Sequence, residues 1–245
     1  MTVFCSSDGR IGYRSRETVA GRESDLVHDF IFNGLDGRGY SFRSRQMAVF
    51  VEPCIDSGFP DVVIAEFDSG FYDAWTDARD GLTCRELKLL AMLHSIEEDD
   101  SSSSQIHLQM ESRSLAKSAE LLCAANLIRR DCSARRWLPL PLKETFGIKR
   151  LIAVEAKMSN SQKVLEQASL NRWFASESYA LTPSRPEDPF LARARRVGIG
   201  MVFGMPRDGY RRCLKAKQSA LPTSYVSWQF NEWIGRRLHS ERGSK

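Results

Sequence analysis

Apolar residues recur along this chain with two different periods. Short runs such as Val62-Val63-Ile64, Leu151-Ile152-Ala153-Val154 and the stretch 198–203 are bounded by polar breaks, which is how buried strands read. Elsewhere the apolar positions return every three or four residues. Counting from Glu23, offsets of three, four, seven and eight fall on Leu26, Val27, Phe30 and Ile31, so a helix with one apolar face is expected over 22–33. Leu87, Leu90, Ala91 and His94 predict a helix over 83–95, and Leu115, Ala119, Leu122 and Cys123 another over 112–125. A further helix is expected over 162–176, after the polar break Ser159-Asn160-Ser161. An amphipathic helix carrying Trp228, Trp233 and Ile234 follows Pro222 to about residue 239, its tryptophans read as core. Arg207-Asp208-Gly209 is a turn signal joining the strand at 198–204 to 210–217, and residues 1–21 read as a loose or edge segment.

Two of the strand runs end in chemistry. Pro60-Asp61 opens the first, and Glu155-Ala156-Lys157 closes the second. In a strand, alternate residues share a face, so Glu155 and Lys157 bring a carboxylate and an ammonium to one place, and Asp61 on a neighbouring strand adds a second carboxylate. Two hard oxygen ligands beside a lysine suit Mg²⁺ held by few protein groups and several waters, with the lysine orienting or deprotonating a water. That is hydrolytic chemistry on a phosphate. The string alone is common: Glu86-Leu87-Lys88 repeats it within the helix at 83–95, where it reads as an exposed face. Among the first-helix acids, Glu23 lies on the apolar face and Asp25 on a mostly polar one, so Glu23 is the candidate, because a carboxylate on a buried face needs a partner or a metal.

Composition narrows the setting. The 245 residues, 42% hydrophobic, suffice for a core without staples. Six cysteines lack a Cys-x-x-Cys pair and four histidines lack ligand spacing, which speaks against zinc; read as free thiols, the cysteines indicate a reducing cytoplasm. No apolar stretch approaches the ~20 residues of a membrane span, so no membrane partner is expected. The net charge of +4 is mild, but Arg193, Arg195, Arg196, Arg207, Arg211, Arg212, Lys215, Lys217, Arg236 and Arg237 concentrate the excess in the C-terminal third, as a phosphate-backbone track requires.

In this order the residues resemble the PD-(D/E)XK nuclease superfamily, which includes many restriction and repair endonucleases. The resemblance covers 22–67 and 148–204: a first helix with Glu23, a hairpin with Gly58-Phe59-Pro60-Asp61, a strand with Glu155-Ala156-Lys157, a helix with Gln167 and Asn171, then the pieces 179–183 and 198–203. It implies an α/β fold whose restriction-endonuclease-like core, a central mixed sheet flanked by helices, spans 1–80 and 143–245. It also implies a Mg²⁺-dependent nuclease, with Mn²⁺ able to substitute, that hydrolyses DNA phosphodiester bonds. In that scheme Asp61 and Glu155 hold the metal, Glu23 is a further metal or water ligand, Lys157 acts on the water, and Gln167 and Asn171 orient the site or touch the strand. The competing expectation is a DNA-binding or protein-docking module on a catalytically degenerate nuclease scaffold.

Residues 81–142 form an insertion that looks like a winged helix-turn-helix: a helix, an acidic and serine-rich loop at 97–105 expected to be mobile, a short element at 106–110, a helix ending at Asn126, and a basic hairpin with its tip at 132–134. By resemblance Arg113 and Lys117 would face DNA, and Arg129, Arg130, Arg135 and Arg136 would line the wing. Such modules also dock proteins, so a homodimer or a protein partner through the insertion is the alternative to DNA.

Overall fold

The computed structural model describes residues 1–35, 46–97, 113–133, 136–159, 162–205 and 209–243. In chain order the elements are β1 (Thr2–Phe4), α1 (Arg22–Asp29), β2 (Met47–Val51), β3 (Val62–Phe67), α2 (Asp77–Asp80), α3 (Cys84–Glu97), α4 (Arg113–Ala124), β4 (Ile128–Asp131), β5 (Arg136–Pro139), α5 (Leu142–Thr145), β6 (Ile148–Ala156), α6 (Gln162–Leu170), β7 (Glu177–Thr182), α7 (Asp188–Val197), β8 (Gly200–Met205), β9 (Gly209–Leu214) and α8 (Tyr225–Gly243). They divide into two compact units, residues 1–67 with 148–223, and residues 68–147 with 224–245.

The first unit is built on a seven-stranded mixed sheet in the order β1-β2-β3-β6-β7-β8-β9. β2, β3 and β6 form an antiparallel meander, β6, β7 and β8 run parallel, and β9 turns back against β8. Val62, Val63, Ile64, Leu151, Ile152 and Ala153 are all buried, because helices cover both faces. On one face Leu26, Val27, Phe30 and Ile31 of α1 and the turn after it pack on Val49, Val62, Ile64, Ile152, Val154 and Leu181, the set that the helical spacing from Glu23 selects. The other face holds Val164, Leu165 and Ala168 of α6 and Phe190 and Ala194 of α7 over Ala180 and Met201. The α1 helix stops earlier than expected, at Asp29, and passes into a π turn over Phe30–Gly34. At Gly200 a side chain would collide with the Tyr179 ring, so a glycine is needed for that ring to lie across β8.

Residues 1–21 are less loose than expected. Ile11 and Tyr13 are buried, Tyr13 donates to Val51 O at 2.9 Å, and β1 pairs in parallel with β2. At the end of β6 away from Glu155, Arg150 donates to Glu66 Oε1 at 2.7 Å and to Glu177 Oε1 at 2.8 Å, and Tyr179 donates to Glu177 Oε2 at 2.9 Å. Two carboxylates sharing one guanidinium and a phenol satisfy charges that burial would otherwise penalise.

The second unit contains α3, α4, the antiparallel ribbon β4-β5, and α8. Asn126 ends α4 with φ 54°, the left-handed terminator that its identity suggests, and Leu127 N–H closes the helix on Leu122 O at 3.0 Å. Nearly all of the loop expected at 97–105, and the element at 106–110, lie outside the described residues. The boundaries differ from the expected 81–142. Trp228, Phe230 and Trp233 of α8 are buried, Trp228 stacks with His94 of α3 at 5.3 Å between centroids, and Glu232 pairs with buried Arg79 at 2.5 Å. Tyr72 O–H and Gly147 N–H both donate to Asn231 Oδ1, at 2.9 and 2.8 Å, so α8 belongs with 68–147 and not with the sheet. Among the described residues no helix is long and apolar enough to cross a membrane.

Candidate active site

The antiparallel register of β3 on β6 pairs Val62 with Val154, and one step further out stand Asp61 and Glu155. The two strand ends thereby bring the two carboxyls together. Ala156 N–H donates to Asp61 Oδ2 at 2.7 Å, and Asn171 Nδ2, just past α6, donates to Glu155 Oε1 at 2.7 Å. Lys157 N–H still bonds to Leu181 O of β7, which carries the alternation one residue beyond the strand; its Nζ donates to Glu23 Oε2 at 2.8 Å. The first helix, the hairpin and the Glu-x-Lys strand thus meet at one point.

Electrostatics mark this point out. Glu155 is 4% exposed; burial and then the neighbouring Asp61 carboxyl push its pKa up to about 8, against the opposing effects of Asn171 and Lys157. Asp61 is also raised, by burial first, with the charges of Glu52 and Glu23 adding and the Ala156 N–H and Lys157 opposing. Lys157 stays a cation: burial works against its charge, but the hydrogen bond to Glu23 and the charges of Asp61 and Glu155 outweigh it, and its pKa rises. Two adjacent carboxyls whose proton affinity is raised by burial form a donor set that fits a divalent cation.

Glu23 is not buried as its place on the apolar face suggests. Its side chain is 48% exposed, because it sits in the first turn of α1, where the helix has not yet reached the sheet; the carboxylate nonetheless reaches Lys157. Gln167 lies one turn before Asn171, and its Oε1 is enclosed without a hydrogen-bond partner among the described residues. Asn171 joins the carboxyls and Gln167 makes no such bond.

Sequence reasoning missed Glu52. It follows the apolar run of β2 as Glu155 closes that of β6, and that shared pattern was the signal available. Its backbone takes φ 45°, its N–H donates to Asp61 O at 3.0 Å, and its carboxylate accepts from Arg16 Nε at 2.5 Å. The second Glu-x-Lys string behaves differently from the expected exposed face. Lys88 is exposed, but Glu86 is buried and accepts from Thr83 N–H at 3.0 Å and Ser118 Oγ at 2.7 Å. Burial alone would raise its pKa; these donors lower it, so it is a satisfied structural carboxylate.

The candidate DNA-facing residues belong to the second unit. Lys117 is exposed on α4, whose first residue is Arg113; Arg129 and Arg130 are exposed on β4, and Arg136 is exposed at the start of β5. Arg135 lies outside the described residues. Arg130 sits over the Trp137 ring at 5.6 Å, and Arg136 lies 3.6 Å from Asp131. Arg236, counted among the basic excess, is half-buried and donates to Leu82 O at 2.5 Å, so its role is structural. The same unit holds a cluster that spacing cannot reveal, in which His239 Nε2 lies 2.9 Å from Asp77 and 3.8 Å from Asp80. None of the six cysteines forms a disulfide. No protein-family model, curated protein or solved structure matches the chain.

Proposed function

We propose that this protein is a Mg²⁺-dependent nuclease of the PD-(D/E)XK kind that hydrolyses DNA phosphodiester bonds. One observation carries the reading: Asp61, Glu155, Lys157 and Glu23, from three separate elements, meet at the adjoining ends of β3 and β6, linked by Ala156 N–H to Asp61 and by Lys157 to Glu23. Asp61 and Glu155 would hold Mg²⁺ (or Mn²⁺), with Glu23 and Glu52 nearby, and the bound ion would supply Lewis-acid stabilisation of phosphate charge and a more acidic water. Asn171 fixes the orientation of Glu155. Lys157, whose ammonium donates to Glu23, would orient or activate the attacking water and offset phosphate charge through hydrogen bonds.

The second unit would engage DNA through Lys117, Arg129, Arg130 and Arg136 in the manner of a winged helix. A specific observation favours protein docking instead: beside Lys117, the exposed side of α4 carries Glu120 and the 40% exposed Leu121, an acidic and an apolar group on the presumed reading helix. The deciding experiment incubates the protein with circular, linear and single-stranded DNA, with and without Mg²⁺. Metal-dependent cleavage that is lost in Lys157→Ala supports the nuclease; full cleavage in that variant overturns the catalytic assignment.

A further inference from the structure

Phe59 stands two residues before Asp61 and is 42% exposed, although Pro60 and Val62 around it are buried. An isolated exposed apolar residue is ordinary on a protein surface. This one is held in place. The turn before it is closed by reciprocal hydrogen bonds between Ile55 and Gly58, each 3.0 Å, and Gly58 takes φ 124°, a conformation open to glycine. The Arg16 guanidinium lies over the Phe59 ring at 5.3 Å, and is itself anchored by its 2.5 Å bond to Glu52, whose N–H bonds to Asp61 O. A partly exposed aromatic ring backed by a fixed cation therefore stands beside the carboxyl cluster.

Resting on the nuclease reading, we propose that Phe59, supported by Arg16, is a stacking platform for an unpaired base beside the phosphate to be cut, so that the substrate is single-stranded or locally opened DNA. A base inside a duplex has both faces covered by its neighbours and cannot stack on a side chain, whereas an unpaired base presents its face and its phosphate together.

The test uses the full chain and two forms of one DNA sequence, a single strand with 2-aminopurine placed at successive positions and the same strand in a blunt duplex. Binding is read by fluorescence in Ca²⁺ and cleavage in Mg²⁺. The parent and Phe59→Trp should quench the single strand at one or two positions, and Phe59→Ala should restore the emission. Phe59→Leu, which keeps apolar bulk without a ring, should behave like Phe59→Ala. The single-strand over duplex ratio of kcat/KM should fall roughly five- to 150-fold in both ringless variants. Quenching that does not depend on Phe59, or an unchanged ratio, overturns the platform while leaving the nuclease intact. Phe59-dependent quenching without cleavage of either DNA by the parent overturns the nuclease and leaves the platform standing.

Discussion

At the scale of residues, the carboxyl pair gives a pH dependence with a definite sign. The folded pKa of Glu155, about 8, lies above its ordinary value of 4.5, so between these values the native state holds more protons than the unfolded chain. The contribution of Glu155 to metal-free stability should therefore be full below pH 4.5 and be lost as pH rises towards 8. Divalent binding should release a proton, and Mg²⁺ affinity should increase up to about pH 8; calorimetric titration in two buffers of different ionisation enthalpy measures both. At neutral pH Glu155→Gln should raise metal-free stability by roughly 1–2 kcal/mol, since it removes the cost of protonating a buried carboxyl on folding, while lowering Mg²⁺ affinity and cleavage. Unchanged Mg²⁺ affinity would take Glu155 out of the metal shell. Lys157→Ala should lower cleavage about 10²–10³-fold with DNA binding nearly intact, measured in single turnover.

Among elements, the sheet and its helices were legible because each strand or helix writes its period locally, and Asn126 could be read as a terminator because φ near 54° suits few residues other than glycine and asparagine. The buried network on β6 was not legible, since Glu66, Arg150 and Glu177 belong to three strands whose neighbours are set by the sheet order. Arg150→Ala leaves two buried carboxylates facing each other and should cost about 3–5 kcal/mol in urea unfolding, with Glu66→Gln partly offsetting the loss in the double variant. Between α3 and α8, burial pushes His94 down to about 4. Its unfolded form takes up a proton between the ordinary value of 6.5 and 4, so the second unit should lose stability as pH falls through that window. His94→Phe should flatten that dependence, as followed by Trp fluorescence melts. The Glu86 string shows the limit of motif reading: the same Glu-x-Lys spacing forms a hydrogen-bonded structural group on a helix and a convergent pair at a strand end.

At the scale of the whole molecule, the exposed arginines of the second unit distinguish DNA engagement from protein docking. If the β4-β5 ribbon meets phosphate, Arg129→Ala with Arg136→Ala should weaken binding to every DNA sequence and flatten the salt dependence by roughly one to two units of slope, with little change in stability because both residues are exposed. Binding and salt slope equal to the parent would favour the docking reading. The amino-acid sequence alone determined the β3, β6 and β8 strands and the approximate places of α1, α3, α4, α6 and α8, that Glu155 and Lys157 share a side, and that Trp228 and Trp233 are core, because these follow from local periodicity and apolar content; it did not show β1 or α7. Only the tertiary structure decided that α8 belongs with 68–147, that Glu52 N–H bonds to Asp61 O and Asn171 to the Glu155 carboxyl, that Glu23 reaches Lys157 from an exposed turn, and that Phe59 stays partly exposed. Each of these depends on which distant segments pack together. That choice minimises exposed apolar area and unpaired buried charge over the whole chain, and a short window of sequence does not contain it.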